Sequence, residues 1–297
     1  IENNEDLMTA YRNKRNEVRD NLKDKYAGKI YQVIHSGSYK KKTAVNIKFD
    51  MDLVLPFKKN SDTLENLFND LYKYFNEDYR KNDSTLFEVK KQKVAIGLTF
   101  QVDGHLLDLD IVPGREINDY EEDGDLNLYV NEQMGLFKKS TTLKTNIQKQ
   151  INHVKNNSDA RDSIKLLKVY KRRNNAQIKS FVIELMTIKA LQNYNGDSDA
   201  WSKLKTVLEF IRDNIKTITL VDPGNTNNIV SDSLEDFQKT GISDTIKWML
   251  ETIQSDENAL ERYFPANPDY PCETDKRAAY VLGASGKPDQ LNNEDFG

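Results

Sequence analysis

The stretch that most constrains this chain is residues 36–57, SGSYKKKTAVNIKFDMDLVLPF, where a Gly-Ser pair stands just ahead of an alternating run. Ile47, Phe49, Met51, Leu53 and Leu55 fall on one side of a period-2 pattern, and Lys48, Asp50, Asp52 and Val54 on the other. That pattern predicts a strand with one buried face. Asp50 and Asp52 therefore share a face, with Cα atoms roughly 7 Å apart at strand rise. Like charges so close repel and raise each other's pKa unless a cation lies between them. Hard carboxylate oxygens suit Mg²⁺, with Mn²⁺ as the alternative ion. An acidic, solvated strand face would show the same Asp-x-Asp pattern, so the pair acquires meaning only from its surroundings.

Two surroundings supply it. Upstream, Gly37 permits close backbone approach at a tight turn, and Ser38 brings a hydroxyl, so the amides of a short following helix can receive phosphate oxygens. Downstream, residues 105–114, HLLDLDIVPG, again alternate: Leu107, Leu109 and Ile111 oppose Asp108 and Asp110, and Pro113-Gly114 is expected to end the strand. Asp110 is the candidate third metal ligand and Asp108 an outer neighbour. Three carboxylates on adjacent strands make a two-metal cup, in which one ion binds a triphosphate and the other lowers the pKa of an attacking hydroxyl.

Gly37-Ser38, Asp50-x-Asp52 and Asp110-Ile-Val-Pro113 together resemble the pattern of the polymerase-β-type nucleotidyltransferases, and within them the cGAS/DncV-like group of bacterial enzymes. Residues 164–171 (IKLLKVYK), 178–181 with Glu184-Leu185, and Val221-Asp222-Pro223-Gly224-Asn225 with Asn227-Asn228 extend the likeness over most of residues 25–264. The resemblance implies an α+β fold: a small mixed catalytic sheet, a helical second lobe and an active site in the cleft between them. It implies that Asp50, Asp52 and Asp110 hold the metal and that Gly37 and Ser38 cradle the triphosphate. A lysine in one helix and a serine opening the next reach the same triphosphate in that group; here they match Lys168 and Ser180, with Lys165 as the rival lysine.

Composition narrows the choice. The 297 residues are 37% hydrophobic and 30% charged, with a formal net charge of −4, a single cysteine and three histidines. Disulfides are excluded, and the Cys/His zinc grip on DNA carried by the animal DNA sensor of this group is not available. An acidic balance argues against a broad nucleic-acid surface. The expectation is a cytoplasmic protein with no membrane segment and no nucleic-acid activator.

Along the chain, residues 5–26 read as an amphipathic brace helix, and 61–79 as a helix capped by Ser61 or Asp62. Strands follow at 87–89, 94–100 and 106–112, with Asp103-Gly104 as a hairpin turn. Residues 116–135 read as a mobile acidic loop over the cleft, with an edge strand at 126–130. Helices are predicted at 142–156, at 159–173 capped by Ser158 or Asp159, at 181–194, 201–215 and 242–263. On the second of these, Lys165, Lys168 and Arg172 form one basic face. Asp222-Pro223-Gly224-Asn225 reads as a turn at the rim of the cleft. The division is a catalytic core over 1–140, a helical lobe over 141–264 and a flexible tail over 265–297, dispensable for nucleotide chemistry.

The resemblance implies a Mg²⁺-dependent synthase of a cyclic oligonucleotide second messenger. It would take nucleoside triphosphates, ATP among them, release pyrophosphate, and serve antiviral defence through an effector that binds the product. A regulatory protein, or one that conjugates the chain through Gly297, is the expected partner class. An RNA-tailing enzyme and a catalytically silent binding module of the same fold are the alternatives.

Overall fold

The computed structural model describes residues 5–45, 50–131, 142–256 and 258–266. The tail beyond Ala266, Gly297 included, and residues 132–135 of the acidic stretch lie outside them. By internal contacts the chain forms one compact unit over Ile1–Glu251 and a second over Thr252–Gly297.

The helix α1 (Glu5–Lys25) opens the chain, and its apolar stripe of Met8, Tyr11, Val18 and Leu22 is buried in the same core as the sheet. β1 (Ile34–Ser36) leads straight into a single helical turn, α2 (Gly37–Lys40). β2 (Asp50–Phe57) follows, then α3 (Leu64–Lys73), which continues through a π-helical turn (Tyr74–Tyr79) into α4 (Arg80–Asn82). α3 lays Leu67, Phe68 and Leu71 against the sheet. Its cap is Thr63, which accepts from the Asn66 amide at 3.2 Å, one position beyond the expected pair; Asp62 instead holds the Thr63 amide and the Asn66 side chain.

β3 (Leu86–Lys91), β4 (Ile96–Val102) and β5 (His105–Glu116) complete the main sheet in the order β1-β2-β5-β4-β3. Among the described residues only the pair β2 and β5 is parallel. Asp103 and Gly104 turn the β4-β5 hairpin with φ of 50° and 80°, the paired left-handed conformation that an Asp-Gly dipeptide favours.

The helix expected over 242–263 is two, over 236–255 and 259–263, and two boundaries nearer the sheet also depart from the sequence expectation. β5 does not stop at Pro113-Gly114 but runs to Glu116, because glycine leaves the sheet surface bare for Leu126 and Leu128 of β6 (Leu126–Tyr129) to lie across it. Thr142–Thr145 is not the start of a helix. It is β7, paired with β6, and α6 (Ile147–Lys155) begins only after Asn146, whose side chain accepts from the Lys149 amide. Between β5 and β6 the acidic stretch, expected as a mobile loop over the cleft, folds into a tethered turn, α5 (Tyr120–Asp123). Asp119 caps it, Glu116 receives Tyr31 Oη and the Lys59 amide, and Asn146 holds the Asp123 carbonyl.

The remaining elements are α7 (Arg161–Arg173), α8 (Ser180–Leu191), α9 (Ala200–Asn214), the hairpin β8 (Val221–Asp222) and β9 (Asn225–Ile229), α10 (Asp236–Ser255) and α11 (Ala259–Tyr263). A 3₁₀ turn at Ser158–Ala160 feeds α7, so neither Ser158 nor Asp159 caps it; Ala160 stands at that position. α8 is buried throughout residues 182–188, as its apolar run predicts, and that buried run includes one carboxylate, Glu184. No helix among the described residues is long and apolar enough to cross a membrane.

The cap assignment is testable. Thr63→Ala should lower unfolding free energy by about 1 kcal/mol in urea titration, while Ser61→Ala, whose hydroxyl meets only the Lys29 carbonyl at the surface, should change it by less than ~0.5 kcal/mol.

Candidate active site

The parallel pairing of β2 and β5 sets Asp52 directly beside Asp110 and Asp50 beside Asp108. Neighbouring strands lie about 4.8 Å apart, and paired residues share a face, so the Asp52 and Asp110 carboxylates stand side by side. Asp50 occupies the expected register position; its side chain lies outside the described residues. Asp108 accepts from Thr99 Oγ1 at 2.7 Å.

Gly37 meets this pair from above. Its φ is +67°, and a Cβ there would fall on the Asp52 carboxylate. The turn that opens α2 is therefore pressed onto the acidic face, and only glycine fits. Asp110 is oriented from the other side. Gln92, in the β3-β4 turn, donates Nε2 to Asp110 Oδ1 at 2.8 Å, using the space left by Gly97, the residue opposite Asp110 on β4. Nothing in the local sequence marks Gln92 for this role, since the contact exists only once β3, β4 and β5 are paired.

A cavity of about 350 Å³ opens beside Asp52. Gly37, Ser38, Lys41 and Thr43 line it from the α2 side; α7 and α8 contribute Lys168, Lys171, Arg172, Ser180, Phe181 and Glu184. Gly37, Ser38, Asp52, Lys168 and Ser180, singled out from sequence, thus converge on one space. Lys165 does not line it; its ammonium pairs with Asp162 at 2.8 Å on the surface, so the expected single basic face of α7 divides between cleft and solvent. A second cavity, of about 370 Å³ between α7, α8, α9 and α10, has no charged residue in its lining and offers no acid-base or phosphate chemistry.

The back of the cleft holds a buried ionic cluster. Glu184, 4% exposed, accepts from Lys168 Nζ at 2.7 Å through one oxygen and from Lys41 Nζ at 2.8 Å through the other. Burial pushes its pKa up, but Lys41 and Lys168 together outweigh that and hold the carboxyl below its ordinary range. A lone acid inside the apolar run 181–188 is itself a sequence signal, since a buried charge requires partners. Asp222, 4% exposed, accepts from Gln150 Nε2, the Gly224 amide and Asn228 Nδ2, so the Asp-Pro-Gly-Asn turn buttresses Gln150, another residue of the cavity lining.

The fold that carries this site has counterparts of known structure. CdnC of E. coli MS115-1, solved with ATP, superposes with a TM-score of 0.67 at 20% identity, over 86% of this chain and 89% of that one. The fold is that of the cGAS/DncV-like nucleotidyltransferases. The CdnC:HORMA-deltaN complex from the same E. coli strain matches at 0.65 and 20% identity, over 87% and 89% of the two chains. Vibrio cholerae DncV cyclic AMP-GMP synthase, in complex with the linear intermediate 5′ pppA(3′,5′)pG, matches at 0.61 and 10% identity, over 78% and 68%. No family model and no curated protein matches the sequence.

Two expectations follow from this geometry. Gly37→Ala should destabilise the chain by clearly more than Gly28→Ala, whose φ of +76° is equally left-handed but whose Cβ would meet nothing within 4 Å. The control isolates the backbone strain, about 1–2 kcal/mol, and the excess measures the collision with Asp52. His35, at the register position beside Leu53, has its pKa lowered to about 4 from 6.5 by burial first and then by Arg15, Arg19, Lys40 and Lys23. Between those values the unfolded chain binds a proton that the folded chain refuses, so stability is retained above the upper value and falls as pH drops toward the lower one. His35→Gln should flatten the melting temperature against pH across that window.

Proposed function

We propose that this chain is a nucleotidyltransferase that joins nucleoside triphosphates into a cyclic oligonucleotide and releases pyrophosphate. The observation that carries the reading is the Asp52-Asp110 pair lying under the Gly37-Ser38 turn at the mouth of a basic cavity. Hard oxygen donors placed side by side fit Mg²⁺, and Asp50, Asp52 and Asp110 are the residues that would hold it. When bound, the ion lowers the pKa of the attacking hydroxyl and offsets charge on the phosphates.

The chain's own residues do the rest by alignment. The α2 turn presents Gly37 and Ser38 to the phosphate chain, Lys171 and Arg172 of α7 and Ser180 of α8 face it from the other side of the cavity, and Gln92 keeps the Asp110 carboxylate from turning away. Catalysis of this kind rests on positioning and charge complementarity, with no covalent enzyme intermediate. The fold shared with DncV, a cyclic AMP-GMP synthase, supports cyclisation as the outcome, and the CdnC:HORMA-deltaN complex supports a protein regulator. A second-messenger product acting on a separate effector in antiviral defence, in the cytoplasm, completes the proposal.

The test is mass spectrometry of products formed from ATP, GTP, CTP and UTP with Mg²⁺, with and without duplex DNA or RNA. A phosphatase-resistant cyclic product of equal yield in all arms is expected; extension of the added RNA would show a tailing enzyme instead. Asp52→Asn and Asp110→Asn should each remove nearly all turnover while leaving the melting temperature close to wild type. A residual rate above about a tenth, a barrier change under ~1.4 kcal/mol, would take that residue out of the site.

A further inference from the structure

Two lysines share one buried carboxylate in this cleft, and their hydrogen bonding is not equivalent. An ammonium has three N–H bonds to give. Lys168 gives all three: to Glu184 Oε1 at 2.7 Å, to Thr43 Oγ1 at 3.0 Å and to the Thr43 carbonyl at 3.3 Å. Lys41 gives one, to Glu184 Oε2 at 2.8 Å, its one side-chain hydrogen-bond partner among the described residues. Its ammonium also lies 5.3 Å from the centre of the Phe181 ring, which backs it on the side of α8.

We propose that Lys41 is the cation that grips the phosphate chain of the nucleotide, that Lys168 is a strut, and that Glu184 aims Lys41 into the cavity. The assignment rests on the nucleotidyltransferase reading and divides labour within that site. For Lys168 to reach a phosphate it would have to abandon Thr43, which is 0% exposed, and leave a buried hydroxyl and carbonyl without that donor. Lys41 need abandon nothing, because two of its N–H bonds remain for a ligand.

Chain position supports the same division. Lys41 follows α2 directly, and its own amide bonds the Gly37 carbonyl, so its side chain is rooted in the turn that covers Asp52. Lys168, from α7, fastens Thr43 just beyond that turn and so ties it to the helical part of the unit. Glu184 cancels one of the two lysine charges and leaves one in excess at a wall that also carries Lys171, bonded to Ser180 Oγ at 3.3 Å, and Arg172. Among the residues lining this cavity, Asp52 is the other carboxylate.

Calorimetric titration with inorganic tripolyphosphate, Mg²⁺-ATP and adenosine distinguishes the roles. Lys41→Gln should weaken tripolyphosphate and ATP by about tenfold or more, a loss of one charge-assisted contact, with adenosine affinity near wild type. Lys41→Arg, which keeps the ion pair with Glu184, should restore most of the affinity. Lys168→Met should lower the melting temperature while tripolyphosphate affinity stays within about threefold. In the unaltered protein, tripolyphosphate should slow acetylation of Lys41 by acetic anhydride and leave the slow reaction of buried Lys168 unchanged, a readout that needs no variant to fold.

If Lys41→Gln binds tripolyphosphate and ATP as wild type does, or if Lys168→Met loses that affinity while Lys41→Gln keeps it, the assignment is overturned and the nucleotidyltransferase reading stands. If wild type binds neither ATP nor tripolyphosphate, both fall together.

Discussion

Everything in the candidate site depends on one pairing, the parallel contact between β2 and β5. Among the described residues it is the only parallel pair in a sheet otherwise antiparallel, and it brings two separately encoded acidic strands into register, Asp52 against Asp110. A slip of one residue in either strand would turn that strand's carboxylate into the apolar core, because the side-chain period is two. Met51, Leu53, Leu109 and Ile111, all at most 3% exposed, hold the register from the opposite face. The burial that stabilises the sheet thus also places the acids.

Around that pair the structure carries interactions that serve position more than stability. Gly37 presses the α2 turn onto Asp52, and Gln92 occupies the space above Gly97 to hold Asp110. The Lys41-Glu184-Lys168 cluster extends this outward. Desolvating a carboxylate and two ammonium groups offsets much of their mutual attraction, so a buried cluster of this kind is weak evidence for stability. Here it joins the residues that follow the α2 turn to α7 and α8 and fixes which ammonium faces the cavity, a positional service that an apolar replacement could not provide.

The departures from sequence reasoning share a cause. Thr142–Thr145 reads as the start of a helix because the helical pattern follows closely, yet it pairs with β6, whose other edge is already held by β5. Pro113-Gly114 is a stop signal in isolation, and it is overridden where Leu126 and Leu128 cover the glycine. Lys165 and Lys168 lie one turn apart on the same helix, and packing sends one to solvent and buries the other. Local propensity is a weak prior wherever tertiary contacts compete with it.

What the sequence determined by itself was the acidic alternation at Asp50-x-Asp52 and Asp108-x-Asp110, the Gly-Ser turn ahead of it, the Asp-Gly hairpin and the apolar run of α8. Each is written in a local period or in backbone chemistry, and so needs no neighbour to be read. Which acids stand together, which lysine is spent on Thr43 and Glu184, and which glutamine steadies Asp110 were decided by the tertiary structure alone. Those are contacts between residues as far apart as Lys168 and Thr43 or Gln92 and Asp110, and a hydrogen bond across such separations exists only after strand register and helix packing have set the distance.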